Sequence, residues 1–266
     1  MNIEDVPMHP SIPLRDRVAT FVKEGKIVWT MTTWGYKFYT LNLLKWLKTE
    51  ANVRWTLCII CCDKESWDFF RRERIPCVLW KTLQKNTDSS VTPFGCNHFR
   101  TLNRVKLEIL DWFIEQAEEL CDYSLYLDGD IVVQKDPWQY ILPILQIYPY
   151  AFQCDCSHLE EHTPETPCKA PCSGVIATNH SASVKGLYKM DEALWDASEG
   201  QDQPYITTRL NMLDIPYTTL NRSKFGNGIW QQSLRWNQEP WVLLHYNHRV
   251  GDTKKNAMKH FHHWKV

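Results

Sequence analysis

The stretch Tyr123-Ser124-Leu125-Tyr126-Leu127-Asp128-Gly129-Asp130-Ile131-Val132-Val133 decides how the rest of the chain is read. Its first half is an apolar, aromatic-bearing run of strand length, and a second apolar run follows Asp-Gly-Asp. Two carboxylates at the end of a buried strand are costly unless a cation or solvent meets them. Gly129 lets the backbone turn and puts no side chain between them. Hard divalent cations take such oxygen ligands and keep positions open for substrate phosphates. The competing reading is an ordinary Asp-Gly hairpin turn. Ligands of open α/β sheets gather at the carboxyl ends of strands, and that position favours a site.

Upstream, Lys26-Ile27-Val28-Trp29-Thr30-Met31-Thr32 reads as a first strand. It runs through Thr33-Trp34-Gly35 into a helix with Phe38, Leu41, Leu44 and Leu47 on one side. Nucleotide-binding α/β domains commonly open with such a strand–turn–helix unit. It places Thr32, Thr33 and Tyr36 where a base or ribose meets the strand end, or, equally, at a plain helix start. No Gly-x-Gly-x-x-Gly is present, so the dinucleotide fingerprint is excluded. Further strands are expected at 55–61 and 77–80, a charged helix at 63–72 and a polar loop at 82–97. Over 99–120 Leu102, Val105, Ile109, Phe113, Ala117 and Leu120 recur at helical spacing, with Arg104 and Lys106 flanking the stripe.

Downstream, residues 150–154 and 172–178 read as strands, the second carrying Ser173 and Gly174. Residues 184–195 read as a helix. Asp202-Gln203 opens another helix, where Asp202 is either a carboxylate at the positive end of the helix dipole or a ligand group. His245-Tyr246-Asn247 ends a late strand, and Gly251-Asp252-Thr253-Lys254 enters a final helix. Backbone N–H groups, helix dipole and a lysine make that helix start a phosphate site. His248, His260, His262 and His263 read as surface residues.

Composition narrows the class. At 266 residues with net charge −1, the chain is not a polyanion binder. Its 13 Trp offer either core packing or platforms for sugar rings and a base. The N-terminal residues lack a basic region followed by an apolar run, and no stretch spans a bilayer, so either a soluble, cytoplasmic enzyme or a trimmed catalytic domain is expected, with reduced cysteines. Cys154, Cys156, His158, His162, Cys168 and Cys172 supply enough ligands for zinc. Their spacing matches no standard zinc module, and ordinary loop cysteines are the default.

Leu125-Tyr126-Leu127-Asp128-Gly129-Asp130 resembles the Asp-X-Asp motif of metal-dependent glycosyltransferases with the GT-A fold. Arg104-Val105-Lys106-Leu107 is similar to the element before that motif in retaining galactosyl- and xylosyltransferase-like families. The nearest resemblance is to the nucleotide-diphospho-sugar transferase family that includes plant cell-wall xylosyltransferases.

That resemblance implies an α/β fold with a mixed central sheet, helices on both faces and one catalytic domain over 1–266. About 18–133 would form the nucleotide-sugar half and about 134–266 the acceptor half. It implies Mn²⁺ or Mg²⁺ held by Asp128, Asp130 and His245, with Gly129 against the donor. Arg104, ahead of Lys106, would face the sugar nucleotide. Ser173 and Gly174 would line the sugar and acceptor pocket, and Asp202 and Gln203 would contact the transferred sugar. Asn247, Gly251 and Lys254 would hold the diphosphate. The donor would be a UDP-linked sugar, the acceptor a carbohydrate or glycoconjugate, and the outcome retention. Three residues separate Asn247 from Gly251, and Lys255-Asn256 replaces the Pro-Trp of the galactosyltransferase-like branch. Both departures lean toward the xylosyltransferase-like branch.

Two other classes stay in view. A sugar-1-phosphate nucleotidyltransferase should carry a Gly-rich, basic loop after the first strand, which Thr30-Met31-Thr32-Thr33-Trp34 is not. A non-catalytic carbohydrate- or metal-binding module would use Asp-Gly-Asp as a calcium turn, but Gln134, Lys135 and Asp136 do not complete an EF-hand pattern.

Overall fold

The computed structural model describes residues 12–49, 56–80, 97–156, 170–228 and 241–266. A short helix, α1 (Leu14–Ala19), precedes β1 (Lys26–Thr32), α2 (Lys37–Thr49), β2 (Leu57–Cys61), α3 (Lys64–Arg72) and β3 (Cys77–Leu79). Then come α4 (Asn97–Leu120), β4 (Tyr123–Leu127), β5 (Ile131–Val133), α5 (Trp138–Leu145), β6 (Tyr150–Cys154) and β7 (Pro171–Asn179). The described residues end with α6 (Glu192–Ala197), α7 (Asp202–Met212), β8 (Tyr217–Leu220), β9 (Phe225–Gly226), β10 (Leu243–His245) and α8 (Gly251–His260).

The central sheet has the order β3-β2-β1-β4-β7-β6-β8. Strands β1 to β4 pair in parallel, while β7 runs antiparallel to both β4 and β6. Both faces are covered, so the strands are apolar on successive residues rather than alternately. Ile27, Trp29 and Tyr126 pack with α4 and α7 on one face; Val28, Leu125 and Leu127 pack with α2, α3 and α5 on the other. Helix α3 starts where Asp63 accepts the Ser66 N–H at 2.7 Å.

A smaller sheet, β5-β10-β9, continues from the Asp-Gly-Asp turn. Its antiparallel register pairs His245 with Ile131, which brings a residue 115 positions downstream beside Asp130.

Some expectations need correction. Within 184–195 only the end is helical: Gly186 takes φ +85°, and Asp191 caps α6 by accepting the Leu194 N–H at 3.1 Å. His263 is buried, not superficial; its carbonyl accepts from Asn42 at 2.9 Å and Trp46 at 3.0 Å. Cys156 is disulfide-bonded, against the expectation of reduced thiols throughout, whereas Cys58, Cys61, Cys62, Cys77, Cys121, Cys154 and Cys172 are free. Most of the 82–97 loop and the zinc-ligand candidates His158, His162 and Cys168 lie outside the described residues. Among the described residues, no helix is long and apolar enough to cross a membrane.

Candidate active site

The Asp-Gly-Asp turn lies in a cleft of about 420 Å³, a volume typical of small-molecule sites. The turn is held from two sides. Asp128 N–H donates to Gly174 O at 2.8 Å, and Tyr246 N–H donates to Asp130 O at 3.3 Å. A carboxylate oxygen of Asp128, one of Asp130 and a ring nitrogen of His245 lie within 4.8 Å of one another. His245 Nε2 is 3.5 Å from Asp128 and 3.3 Å from Asp130. Two hard carboxylates and one imidazole form a donor set that suits Mn²⁺, and Mg²⁺ less closely. Gly174 is packed against this triad: a Cβ there would stand 2.0 Å from His245 Cε1 and 2.8 Å from Asp128 Oδ2.

Charge is balanced around the triad. Lys254, on the first turn of α8, forms an ion pair with Asp130. Burial alone would raise the Asp130 carboxyl, but Lys254 and His245 hold it well below the usual carboxylate range. Burial alone would lower His245, but Asp130 and the Cys172 thiol raise it to about 10. A proton on Nε2 would therefore compete with a cation held there.

Lys106 joins this corner to the start of α7. It is 5% exposed, with Nζ 2.8 Å from Asp202 Oδ2 and 3.5 Å from Asp128 Oδ1. Burial would lower its pKa, but the two carboxylates raise it above the ordinary lysine value. Tyr126 OH also donates to Asp128. Asp202 Oδ1 accepts the Gln203 N–H at the start of its own helix at 2.9 Å, and Oδ2 meets Lys106.

The remaining sequence candidates fall on the same cleft, with one exception. Thr32, Thr33 and Tyr36 line it at the end of β1, and Gly129, Ser173 and Asn247 line it near the triad. Thr32 is itself engaged, accepting from Thr40 Oγ1 at 2.9 Å. Gly251 opens α8 at φ +53°, and its carbonyl accepts from Tyr39 OH at 3.1 Å. Arg104 is the exception. It points away and forms a two-pronged pair with Glu192, at 2.6 and 3.0 Å. Residues two apart on a helix lie about 200° apart, so only one of Arg104 and Lys106 faces the cleft.

Sequence reading missed Asp155, just beyond β6. Its carboxylate accepts from Gln203 Nε2 at 3.0 Å and Asn247 Nδ2 at 3.0 Å, and it meets His248 Nε2 at 3.2 Å. His248 is exposed, as expected, and also lines the cleft. A carboxylate immediately after a buried strand was the available signal. Among the described residues the cleft's aromatic rings are Tyr36, Tyr39, Phe99 and Tyr126, with no tryptophan. Trp29 stacks on Phe113 at 4.6 Å between centroids, and Trp46 meets Trp241 at 6.4 Å.

Residues 54–258 match the family described as nucleotide-diphospho-sugar transferase. The fold is similar to that of the galactosyltransferase LgtC, solved in complex with donor and acceptor sugar analogues. The TM-score is 0.53 at 15% identity, covering 84% of this chain and 87% of that one. Mouse xyloside xylosyltransferase 1 in its apo form gives 0.51 at 12% identity, covering 85% of this chain and 99% of that one. The glycosyltransferase GlyE of Streptococcus pneumoniae gives 0.50 at 16% identity, covering 91% of this chain and 61% of that one. These similarities establish the mixed α/β GT-A architecture expected from the motif. No curated protein matches the chain.

Proposed function

Because the chain belongs to the nucleotide-diphospho-sugar transferase family, we propose that it is a metal-dependent glycosyltransferase that moves a sugar of the xylose or galactose class from a UDP-linked donor to a carbohydrate or glycoconjugate acceptor, with retention. The observation that carries the reading is the convergence of Asp128, Asp130 and His245 within 4.8 Å, in the same cleft as Lys254, Asp202 and Gln203.

Asp128, Asp130 and His245 would hold Mn²⁺ or Mg²⁺. Such an ion, when bound, neutralises the leaving diphosphate as a Lewis acid. Lys254 and the N–H groups opening α8 add positive charge where the leaving group collects it. Asn247 and Gly251 flank the same diphosphate. Thr32, Thr33 and Tyr36 receive the base and ribose at the end of β1. Lys106, Asp202 and Gln203 orient the sugar, with Ser173 beside it, and Asp155 fixes the Gln203 and Asn247 amides.

Both Asp202 oxygens already accept hydrogen bonds, from Lys106 and Gln203. That supports an orienting role over nucleophilic attack. Retention then follows from acceptor attack on the leaving-group side, with a diphosphate oxygen taking the acceptor proton. The reading includes a single catalytic domain over 1–266, its nucleotide half ending near 133.

The test is metal-dependent hydrolysis and transfer across a panel of UDP- and GDP-sugars, with product configuration read by NMR. Turnover of one UDP-sugar with retained configuration is expected. Sugar binding without any turnover would favour the non-catalytic module, and an inverted product would refute the mechanism.

A further inference from the structure

Beyond the three candidate ligands, we propose that Gln153 is a positioning residue that fixes the tautomer of His245, presenting its Nε2 lone pair to the cation. The inference rests on the metal-site reading above. Gln153 lies on β6 with 0% exposure, a polar side chain inside an otherwise apolar, wholly buried strand. A buried amide is costly unless its hydrogen bonds are made. Here the partners dictate its orientation. Nε2 donates to Gly226 O at 2.7 Å and to Phe225 O at 3.2 Å. Backbone carbonyls only accept, so the NH₂ end must face them; a flipped amide would set three oxygens against one another. Oε1 is therefore turned toward His245 Nδ1, 2.8 Å away.

An amide oxygen cannot donate, so Nδ1 carries the hydrogen of that contact. The ring's other nitrogen, Nε2, is left as the one that ligates, and it is the nitrogen on the side of Asp130 and Asp128. The alternative tautomer would set the Nδ1 lone pair against Oε1 and place an N–H on the cation's side. The backbone supports the aim. The β6–β7 register shifts between Phe152 and Gln153, so that Gln153 stands opposite Cys172, and such irregularities redirect side chains. The two carbonyls belong to β9, which pairs with the strand that carries His245. One side chain therefore spans from the central sheet to the small sheet at the point where the ligand projects. Ligating histidines elsewhere are held by such a partner on the second nitrogen, and loss of that partner costs about 10–100-fold in metal affinity.

A purely structural stitch between the sheets is the rival account, and two variants with three readouts separate them. Mn²⁺ affinity is measured by calorimetry on wild type, Gln153→Met and Gln153→Glu, with melting temperature alongside. The His245 ring ¹⁵N shifts are recorded on Mg²⁺-loaded wild type. The expected results are an Nδ1–H tautomer in wild type, a roughly 10–100-fold weaker Mn²⁺ site in the folded Met variant, and substantial recovery in the Glu variant, whose buried carboxyl, protonated against the Gly226 and Phe225 carbonyls, donates its O–H there and still accepts from Nδ1–H. An Nε2–H tautomer in wild type overturns the inference without any variant. So does unchanged Mn²⁺ affinity in the Met variant, or equal loss in Met and Glu. Absence of Mn²⁺ binding by wild type would overturn the metal-site reading as well.

Discussion

Gly174 and His245 touch through a position that admits no side chain: a Cβ on Gly174 would lie 2.0 Å from His245 Cε1 and 2.7 Å from Nδ1. Neither neighbour can yield. The ring is buried, and the Gly174 carbonyl accepts the Asp128 N–H that shapes the turn. Gly174→Ala should displace the ring and weaken Mn²⁺ binding by about 10-fold or more, at a stability cost of about 1–3 kcal/mol from overpacking. Calorimetric titration with Mn²⁺ reads the first effect and denaturant unfolding the second. Wild-type affinity in the variant would mean that the triad does not hold the ion.

Lys106 and Arg104 should separate sharply although they are two residues apart. Lys106→Met leaves the Asp202 and Asp128 carboxylates without their shared buried cation, a loss of about 3–5 kcal/mol for a buried pair. Arg104→Ala removes only an exposed pair with Glu192, worth about 0–1 kcal/mol. Donor KM should change in the first variant alone. Equal effects on donor KM would show that Arg104 reaches the donor.

The His245 shift sets a pH window. Its folded pKa stands above the ordinary 6.5, near 10. The stabilisation by the imidazolium is therefore complete below about pH 6.5 and fades as pH rises toward 10. In EDTA the melting temperature should fall across that window. Mn²⁺ affinity should rise across it, by up to about tenfold per pH unit, because one proton is displaced. Thermal melts with and without Mn²⁺ check the two opposing slopes, and parallel slopes would contradict the competition at Nε2.

Lys254 pairs with Asp130, a candidate ligand. Lys254→Met should therefore leave Mn²⁺ affinity unchanged or stronger, since a competing positive charge is gone. Turnover should nevertheless drop by about 100-fold, because stabilisation of the leaving diphosphate is lost. A variant that loses metal binding and turnover together would assign Lys254 to building the site rather than to the leaving group.

The sequence was most readable where apolar runs met charged punctuation. Strands β1, β4 and β6 fall where the residues indicate, and the Asp-Gly-Asp turn lies at a strand end because buried strands are long apolar runs and carboxylates end them. Pairing of His245 with Ile131 is different in kind: register between distant strands is a tertiary fact with no local trace. Arg104 and Lys106 flank one apolar stripe, and helical phase alone does not say which flank meets the cleft. Gln153 and Asp155 carry no motif, although a glutamine inside a fully buried strand is itself unusual. The helix expected over 184–195 is restricted to α6 after the turn at Gly186, and of the two readings of the tryptophans, core packing or ring platforms, Trp29 and Trp46 follow the first.

The central claim is that a divalent ion at Asp128, Asp130 and His245 drives cleavage of a nucleotide sugar. Its most direct test is donor hydrolysis by wild type and Asp130→Ala, with Mn²⁺ and with EDTA, across UDP- and GDP-sugars. The account predicts turnover of a UDP-sugar that requires Mn²⁺ and vanishes in the variant. Turnover that persists in EDTA, or that survives loss of Asp130, would contradict it.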